Sequence, residues 1–176
     1  RPNERVEIDH TPLDIFVVDE DAHLPLGRPW ITVAIDKRTR MVLGFHISFS
    51  PPSVEAVMHC LRHAVLPKID LKARYPALKN SWLAHGLPET LVVDNGLEFH
   101  AEALEVAALG LGFRIEFGGK RKPFHKGAIE RFLKTLNYNL IHKLPGTSFA
   151  KYWQRFDFDP LKHALITLEK LNEVIH

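Results

Sequence analysis

The chain has 176 residues, 45% hydrophobic and 25% charged, with a formal net charge of +2 at neutral pH. These values suit one globular domain with a sizeable core and exclude general disorder. No apolar run approaches the length of a bilayer span and the opening "RPNERVEIDH" has no secretory apolar stretch, so a soluble, intracellular protein is expected.

In chain order, "VEIDHTPLDIFVVDE" alternates and then turns continuously apolar, which predicts a strand or strand pair interrupted near Pro12. A turn-rich "DAHLPLGRP" follows. "WITVAID" and "MVLGFHISF", joined by "KRTR", predict an antiparallel hairpin, so three strands come first. "PPSVEAVMHCLRHAVL" predicts a helix from about Ser53 that stops before Pro67. Residues 68–88 are expected to be irregular or briefly helical around Tyr75 and Trp82. "TLVVDN" is a fourth strand, "AEALEVAALGLG" a helix ended by glycine, and "FRIEFG" a fifth strand. After the basic "GGKRKPFHKG" comes the helix "GAIERFLKTLNYNLIHKLPG", whose Ile129, Phe132, Leu133, Leu136 and Leu140 form one stripe; Leu161 to Ile175 also reads as helix. This order predicts an α/β fold with a five-stranded mixed sheet and helices on both faces, because strand–helix–strand connections are normally right-handed parallel crossovers.

The carboxylates suggest chemistry. Asp94 follows "TLVV" at the carboxyl end of a strand, where α/β sheets gather their ligands, although an Asp before Asn95 and Gly96 also makes Asx turns or caps helices. Asp9 lies inside an apolar strand, where a charge needs partners or a metal. Glu130 lies one turn into its helix, beside the apolar stripe and on the side of Lys134 and Asn137. Three acids from three elements are thus expected to meet at one sheet edge, a set of hard oxygen ligands suited to Mg²⁺. Two such ions about 3.5 to 4 Å apart serve in-line displacement at phosphorus. The residues alone do not rank Asp9 above Asp14, Asp19 or Asp36, which also lie near strand ends.

"EIDHT", "VVDNGLEFH" and "PFHKGAIERF" resemble the three signature blocks of the DDE transposases and retroviral-type integrases, with Asp9, Asp94 and Glu130 as the triad. The 35 residues between Asp94 and Glu130 match that family's D,D(35)E spacing. "HTPLDIFVVDE", "LGRPWITVAID" and "LPETLVVDNGLEFH" look most like the TniA and TnsB branch of bacterial transposases, relatives of the phage Mu transposase. The similarity runs from Arg5 to His142.

This resemblance implies an RNase H-like fold and a polynucleotidyl transferase. Water first cuts the element's end, and the freed 3′ hydroxyl then attacks target DNA, with no covalent protein intermediate. The implied cofactor is Mg²⁺ or Mn²⁺, two ions in the DNA-bound state. Asp9 and Asp94 carry most of the binding and Glu130 completes the second site. Lys120, Arg121, Lys122, Lys126, Arg131 and Lys134 are implied to contact phosphates, and Asn95, Gly96 and Gly127 to shape turns around the triad. Expected partners are transposon-end and target DNA, further copies of the protein assembled on DNA, and accessory transposition proteins; no membrane is involved. The implied location is the bacterial cytoplasm, at the nucleoid. The whole of 1–176 then reads as one integrase-type catalytic core, a fragment of a longer protein.

Rival readings keep the same acids. An RNase H-like nuclease would use them for hydrolysis alone, and a non-catalytic DNA-binding or assembly module would keep only the fold. A glycosidase with paired acids leaves the basic loop unexplained. His59 and His63 stand one helical turn apart but lack a third ligand or an HExxH pattern, which disfavours zinc; the single Cys60 excludes an internal disulfide and a cysteine-based zinc cluster and reads as a buried thiol. His100 and His125 flank the catalytic blocks as second-sphere or surface residues. Asp14 is expected to make structural hydrogen bonds, and Asp19, Glu20 and Asp21 to form a solvated turn. Trp30 and Trp82 are expected to cover core or sheet.

Overall fold

The structure, a computed structural model, describes residues 1–21, 24–94, 102–118, 127–144 and 166–176. The main sheet contains β1 (Arg5–Pro12), β4 (Trp30–Asp36), β5 (Val42–Ser48), β6 (Thr90–Asp94) and β7 (Arg114–Gly118), in the order β5-β4-β1-β6-β7. β1 runs antiparallel to β4 and β4 to β5, whereas β1, β6 and β7 are parallel. This is the five-stranded mixed sheet expected from the sequence, with the first three strands as a meander and the last two reached through helical crossovers.

Strand alternation divides the core. Val6, Ile8, Ala34, Leu43, Leu91 and Val93 face one side, where they pack on α1 (Val54–Val65) and α3 (Glu102–Leu111). Ile31, Val33, Ile35, Phe45 and Ile47 face the other, against α4 (Gly127–Thr135) and α5 (Leu168–Ile175). In α1, Ser53 caps the first turn by accepting from the Ala56 N–H at 3.2 Å, and Leu66 leaves the helix in an extended conformation, as a residue before proline must. Such a cap contributes about 1 kcal/mol, whereas burying one Leu or Val contributes roughly 1.5–3 kcal/mol. The cap therefore decides where α1 begins, and burial of Ala56, Val57, Cys60, Leu61 and Ala64 decides that it holds. α3 ends on Gly112, whose φ of +78° lets its N–H turn back to the Ala108 carbonyl at 2.8 Å.

Three expectations need correction. The turn-rich segment after Asp21 contains β3 (Pro25–Gly27), which pairs with β2 (Val17–Val18); β8 (Ile166–Thr167) joins them in a second, three-stranded sheet. β2 is thus the second half of the strand pair broken near Pro12. The final helix begins at Leu168, because Ile166 and Thr167 pair with Val17 and Val18 and the Thr167 hydroxyl caps α5 by accepting from the Lys170 N–H at 3.2 Å; residues 161–165 lie outside the described residues. The long helix after Gly127 is α-helical only to Thr135, then a π-helical turn over Leu136–Leu140 and a 3₁₀ turn over Ile141–Lys143. Asn137 is the cause: it is buried at the start of the π turn, and its side chain donates to the Pro12 carbonyl at 3.2 Å and accepts from the Asp14 N–H at 3.1 Å. Those tertiary bonds reward a local widening that an α-helical register would not supply.

The poorly patterned 68–88 segment holds only the short α2 (Leu71–Arg74) and otherwise packs by side chain. The Trp82 indole donates to the Val42 carbonyl at 2.9 Å, and the Lys68 ammonium donates to the carbonyls of Leu43, Ala64 and Ala84. Cys60 is a buried thiol as expected, hydrogen-bonded to the Gly44 carbonyl at 3.6 Å, and burial pushes its pKa up.

His63 is enclosed by Phe45, Trp82, His176 and Lys68. Burial chiefly, with Lys68, His176 and His46 nearby, pushes its pKa down from 6.5 to about 4, against a raising effect from its hydrogen bond to the Phe45 carbonyl. The folded imidazole refuses a proton that the unfolded chain accepts below pH 6.5. Stability is therefore full above that pH and falls as pH drops from 6.5 toward 4. The expected loss is on the order of 2 kcal/mol after discounting the ring's partial exposure. Chemical denaturation at pH 7.5 and pH 4.5 checks this; in His63→Gln the loss over that window should be clearly smaller.

Candidate active site

Asp9 occupies β1 and Asp94 ends β6, on adjacent parallel strands. Their parallel pairing runs from Arg5–Thr90 to Glu7–Val92, and Asp9 and Asp94 each follow two residues beyond its end. Val6, Ile8, Leu91 and Val93 all face α1 and α3. Alternation therefore sends Glu7, Asp9, Val92 and Asp94 to the opposite face, the one covered by α4. The site lies on the two central parallel strands rather than at an outer edge of the sheet, which refines the sequence expectation.

Glu130 comes from the first turn of α4 and is exposed. It lines a cleft of about 330 Å³ together with Asp9, His10, Asp14, Lys134, Asn137 and Tyr138. The structure thus brings Glu130, Lys134 and Asn137 to one side of the helix, facing Asp9. The Asp9 carboxylate accepts from the His10 N–H at 2.9 Å, and His10 is in turn hydrogen-bonded to the Thr32 hydroxyl at 2.7 Å. Among the described residues, no group of three or more His, Cys, Asp or Glu side chains is close enough to hold a metal ion together. Asp9 and Glu130 thus share one cleft, and Asp94 ends the parallel strand next to β1.

Other acids have structural occupations. Asp14 binds Arg28 through one carboxylate oxygen and His142 through the other, the latter at 3.0 Å. Asp36 is buried and holds the hairpin turn, accepting from the Asn3 N–H at 3.1 Å and the Thr39 N–H at 2.8 Å. Asp19 accepts from the Asp21 N–H at 3.0 Å in an exposed turn. Among the proposed phosphate contacts, Lys134 lies in the Asp9 cleft, and Arg131 lines a second cleft of about 500 Å³ with Lys37 and Arg40. Lys120, Arg121, Lys122, Lys126, Asn95 and Gly96 lie outside the described residues, as do His100 and His125. Gly127, expected to shape a turn, is the first residue of α4, and a Cβ there would meet nothing within 4 Å among the described residues.

Two features of this face escaped the sequence reading. Lys37 and Arg40 belong to the "KRTR" turn, whose role as a hairpin connection concealed its position beside α4. Glu7 is a carboxylate with 0% exposure. Its Oε2 accepts from the Ile129 N–H at 3.3 Å and its Oε1 lies 3.6 Å from the Lys37 ammonium. The signal for Glu7 was present: a second charge in an apolar strand, two residues before Asp9 and so on the same face.

A model of the TnsB C-terminal domain matches residues 7–146. The chain is 32% identical over 146 residues to the transposase for transposon Tn552 of Staphylococcus aureus, an alignment covering 83% of this chain and 28% of that protein. It is 32% identical over 148 residues to the transposon Tn7 transposition protein TnsB of Escherichia coli, covering 82% of this chain and 21% of that one. The chain thus spans between a fifth and a third of the length of these relatives. Among solved structures, it resembles a chain in the cryoEM structure of the simian T-cell lymphotropic virus intasome in complex with PP2A regulatory subunit B56 gamma. The TM-score is 0.54 at 20% identity, over 81% of this chain and 41% of that one, a likeness of fold.

Proposed function

The chain belongs to the TnsB C-terminal domain family, and from that premise we propose that it is the catalytic core of a DDE transposase, with an RNase H-like fold and Asp9, Asp94 and Glu130 as its triad. One observation carries the reading: Asp9 and Asp94 lie on neighbouring parallel strands, and Asp9 shares a cleft with Glu130 of α4. Two carboxylates on neighbouring parallel strands and a third on the covering helix are hard oxygen donors, the type that suits Mg²⁺ or Mn²⁺ better than zinc. When bound, such ions activate the attacking oxygen and offset charge at the phosphorus and leaving oxygen.

The chain's own groups do the rest. Asp9 and Asp94 hold the ions, and Glu130 completes the set from the far wall of the cleft. Asp9 lies within β1 and Asp94 ends β6, so strands of the main sheet carry both of these donors. Lys134 places a cation inside the cleft, where it draws in a DNA phosphate and compensates the three acids. Arg131, Lys37 and Arg40 extend this positive surface along α4, as a track for the DNA backbone. The partners in this reading are transposon-end and target DNA, with further copies of the protein and accessory transposition proteins, in the bacterial cytoplasm. No helix among the described residues is long and apolar enough to cross a membrane.

Hydrolysis and transfer differ only in whether water or a 3′ hydroxyl attacks. The test supplies the protein with Mg²⁺ or Mn²⁺, its own element-end duplex carrying a free 3′ hydroxyl, and a labelled target duplex. Joined product is expected only with the metal and only with the 3′ hydroxyl present. Nicked target with no joined product would leave a nuclease, and binding with no metal-dependent chemistry a DNA-binding module.

A further inference from the structure

Glu7 is buried at a depth where a carboxylate is costly unless other groups compensate it, and the groups that do so are specific. The Ile129 N–H that it accepts belongs to the first turn of α4, where no helical carbonyl is available as a partner. The positive end of the helix dipole favours a carboxylate there, and Lys37 stands 3.6 Å from the other oxygen, which has no hydrogen bond among the described residues. The residue after Ile129 is Glu130, and two residues after Glu7, on the same face of β1, is Asp9. A single side chain therefore ties the strand that carries one proposed metal ligand to the turn of helix that carries another.

We propose that Glu7 is a positioning residue, which pins the first turn of α4 to β1 and so sets the reach of Glu130 toward Asp9 and Asp94. This rests on the catalytic reading above. The acceptor oxygen and its reach matter in this role more than the charge. A shift of about 1 Å in a ligand's support can lower a rate by roughly 100-fold with the ligand itself untouched. A buried ion pair that merely held the fold together would instead affect stability and leave metal use alone.

Two substitutions separate reach from charge. Glu7→Gln keeps an oxygen at the same distance for the Ile129 N–H and removes the charge, whereas Glu7→Asp keeps the charge and withdraws the oxygen by one methylene. The readouts are the metal-dependent rate at saturating Mg²⁺, the Mg²⁺ concentration for half-maximal rate, DNA affinity, and hydrogen exchange at the Ile129 amide. Glu7→Gln is expected within about threefold of wild type with the amide still protected. Glu7→Asp is expected to be about 10- to 100-fold slower, with a raised Mg²⁺ requirement and unchanged DNA affinity. Equal rates in the two variants, or a faster Asp variant, would overturn the proposal. Should Glu7→Asp not fold, Glu7→Asn takes its place, since it withdraws the oxygen by the same methylene without a charge: a rate equal to that of Glu7→Gln overturns the proposal, and a rate about tenfold or more below it upholds it. If the wild-type protein itself lacked metal-dependent chemistry, the catalytic reading would have failed rather than the role of Glu7 within it.

Discussion

Asp94→Asn should abolish metal-dependent cleavage and strand transfer while leaving DNA binding and the fold intact. Asparagine has nearly the shape of aspartate, and Asp94 is exposed at the tip of β6, so burial and the β6–β7 ladder are unaffected. What disappears is one of the proposed anionic donors, the one at the tip of β6. Metal assistance at phosphorus is worth several kcal/mol, so the rate should fall by roughly 10³-fold or more. Asp9→Asn and Glu130→Gln should fall similarly, and a double variant should be hardly worse than either single one, because groups that act as one unit are not additive. Asp14 supplies the contrast, since it shares the cleft with Asp9 and Glu130 yet is bonded to Arg28 and His142. Asp14→Asn should lower stability by about 1–3 kcal/mol and keep the metal-dependent reaction. Single-turnover cleavage measured beside DNA affinity for the four variants decides the matter. Undiminished cleavage in Asp94→Asn would remove it from the chemistry and undo the triad.

The contrast between Asp9 and Asp14 also shows what could be read in the sequence. The five main strands were legible as short β-rich apolar runs, and α1 and α4 as apolar residues at helical spacing, because burial on the sheet leaves that local trace. The motif blocks singled out Asp9, Asp94 and Glu130 through resemblance, and the parallel pairing of β1 with β6, which puts Asp9 and Asp94 on neighbouring strands, is a relation that no spacing rule contains. The second sheet was not legible, since two-residue strands such as Val17–Val18 and Ile166–Thr167 have no periodicity and pair across most of the chain. The π turn was hidden for a related reason. "TLNYNLIH" is compatible with an α-helix by itself, and what widens it is the bonding of Asn137 to Pro12 and Asp14, more than 120 residues earlier. Glu7 was passed over because its neighbour Asp9 already accounted for a charge in an apolar strand. Alternation should have asked the same question of both residues.

Gly44 separates strand propensity from packing, and packing should win by a wide margin. It lies in β5 opposite Ala34, and glycine inside a strand is normally a weakness: a β-branched residue there gains up to about 1 kcal/mol by propensity. Here a Cβ on Gly44 would lie 2.5 Å from the Ala64 nitrogen, 2.8 Å from the Ala64 Cα and 2.9 Å from the His63 carbonyl carbon. All three are backbone atoms of α1, so no side-chain rotation can make room, and the helix itself must lift from the sheet. Lifting it would open the packing of Val57, Cys60, Leu61 and Ala64 on Ala34 and Leu43. Gly44→Ala is therefore expected to destabilise the protein by about 2 kcal/mol or more, and Gly44→Val by about 3 kcal/mol or more, as overpacking against rigid backbone. Denaturant midpoints with an unchanged m-value would record this, and a neutral or stabilising Gly44→Val would mean that α1 does not approach β5 so closely. The damage also has a side. α1 covers the face of the sheet opposite α4, so the fraction of Gly44→Ala molecules that remains folded should keep its metal-dependent rate. A loss of rate per folded molecule would mean that the two layers are mechanically coupled through β1, whose alternating side chains belong to both.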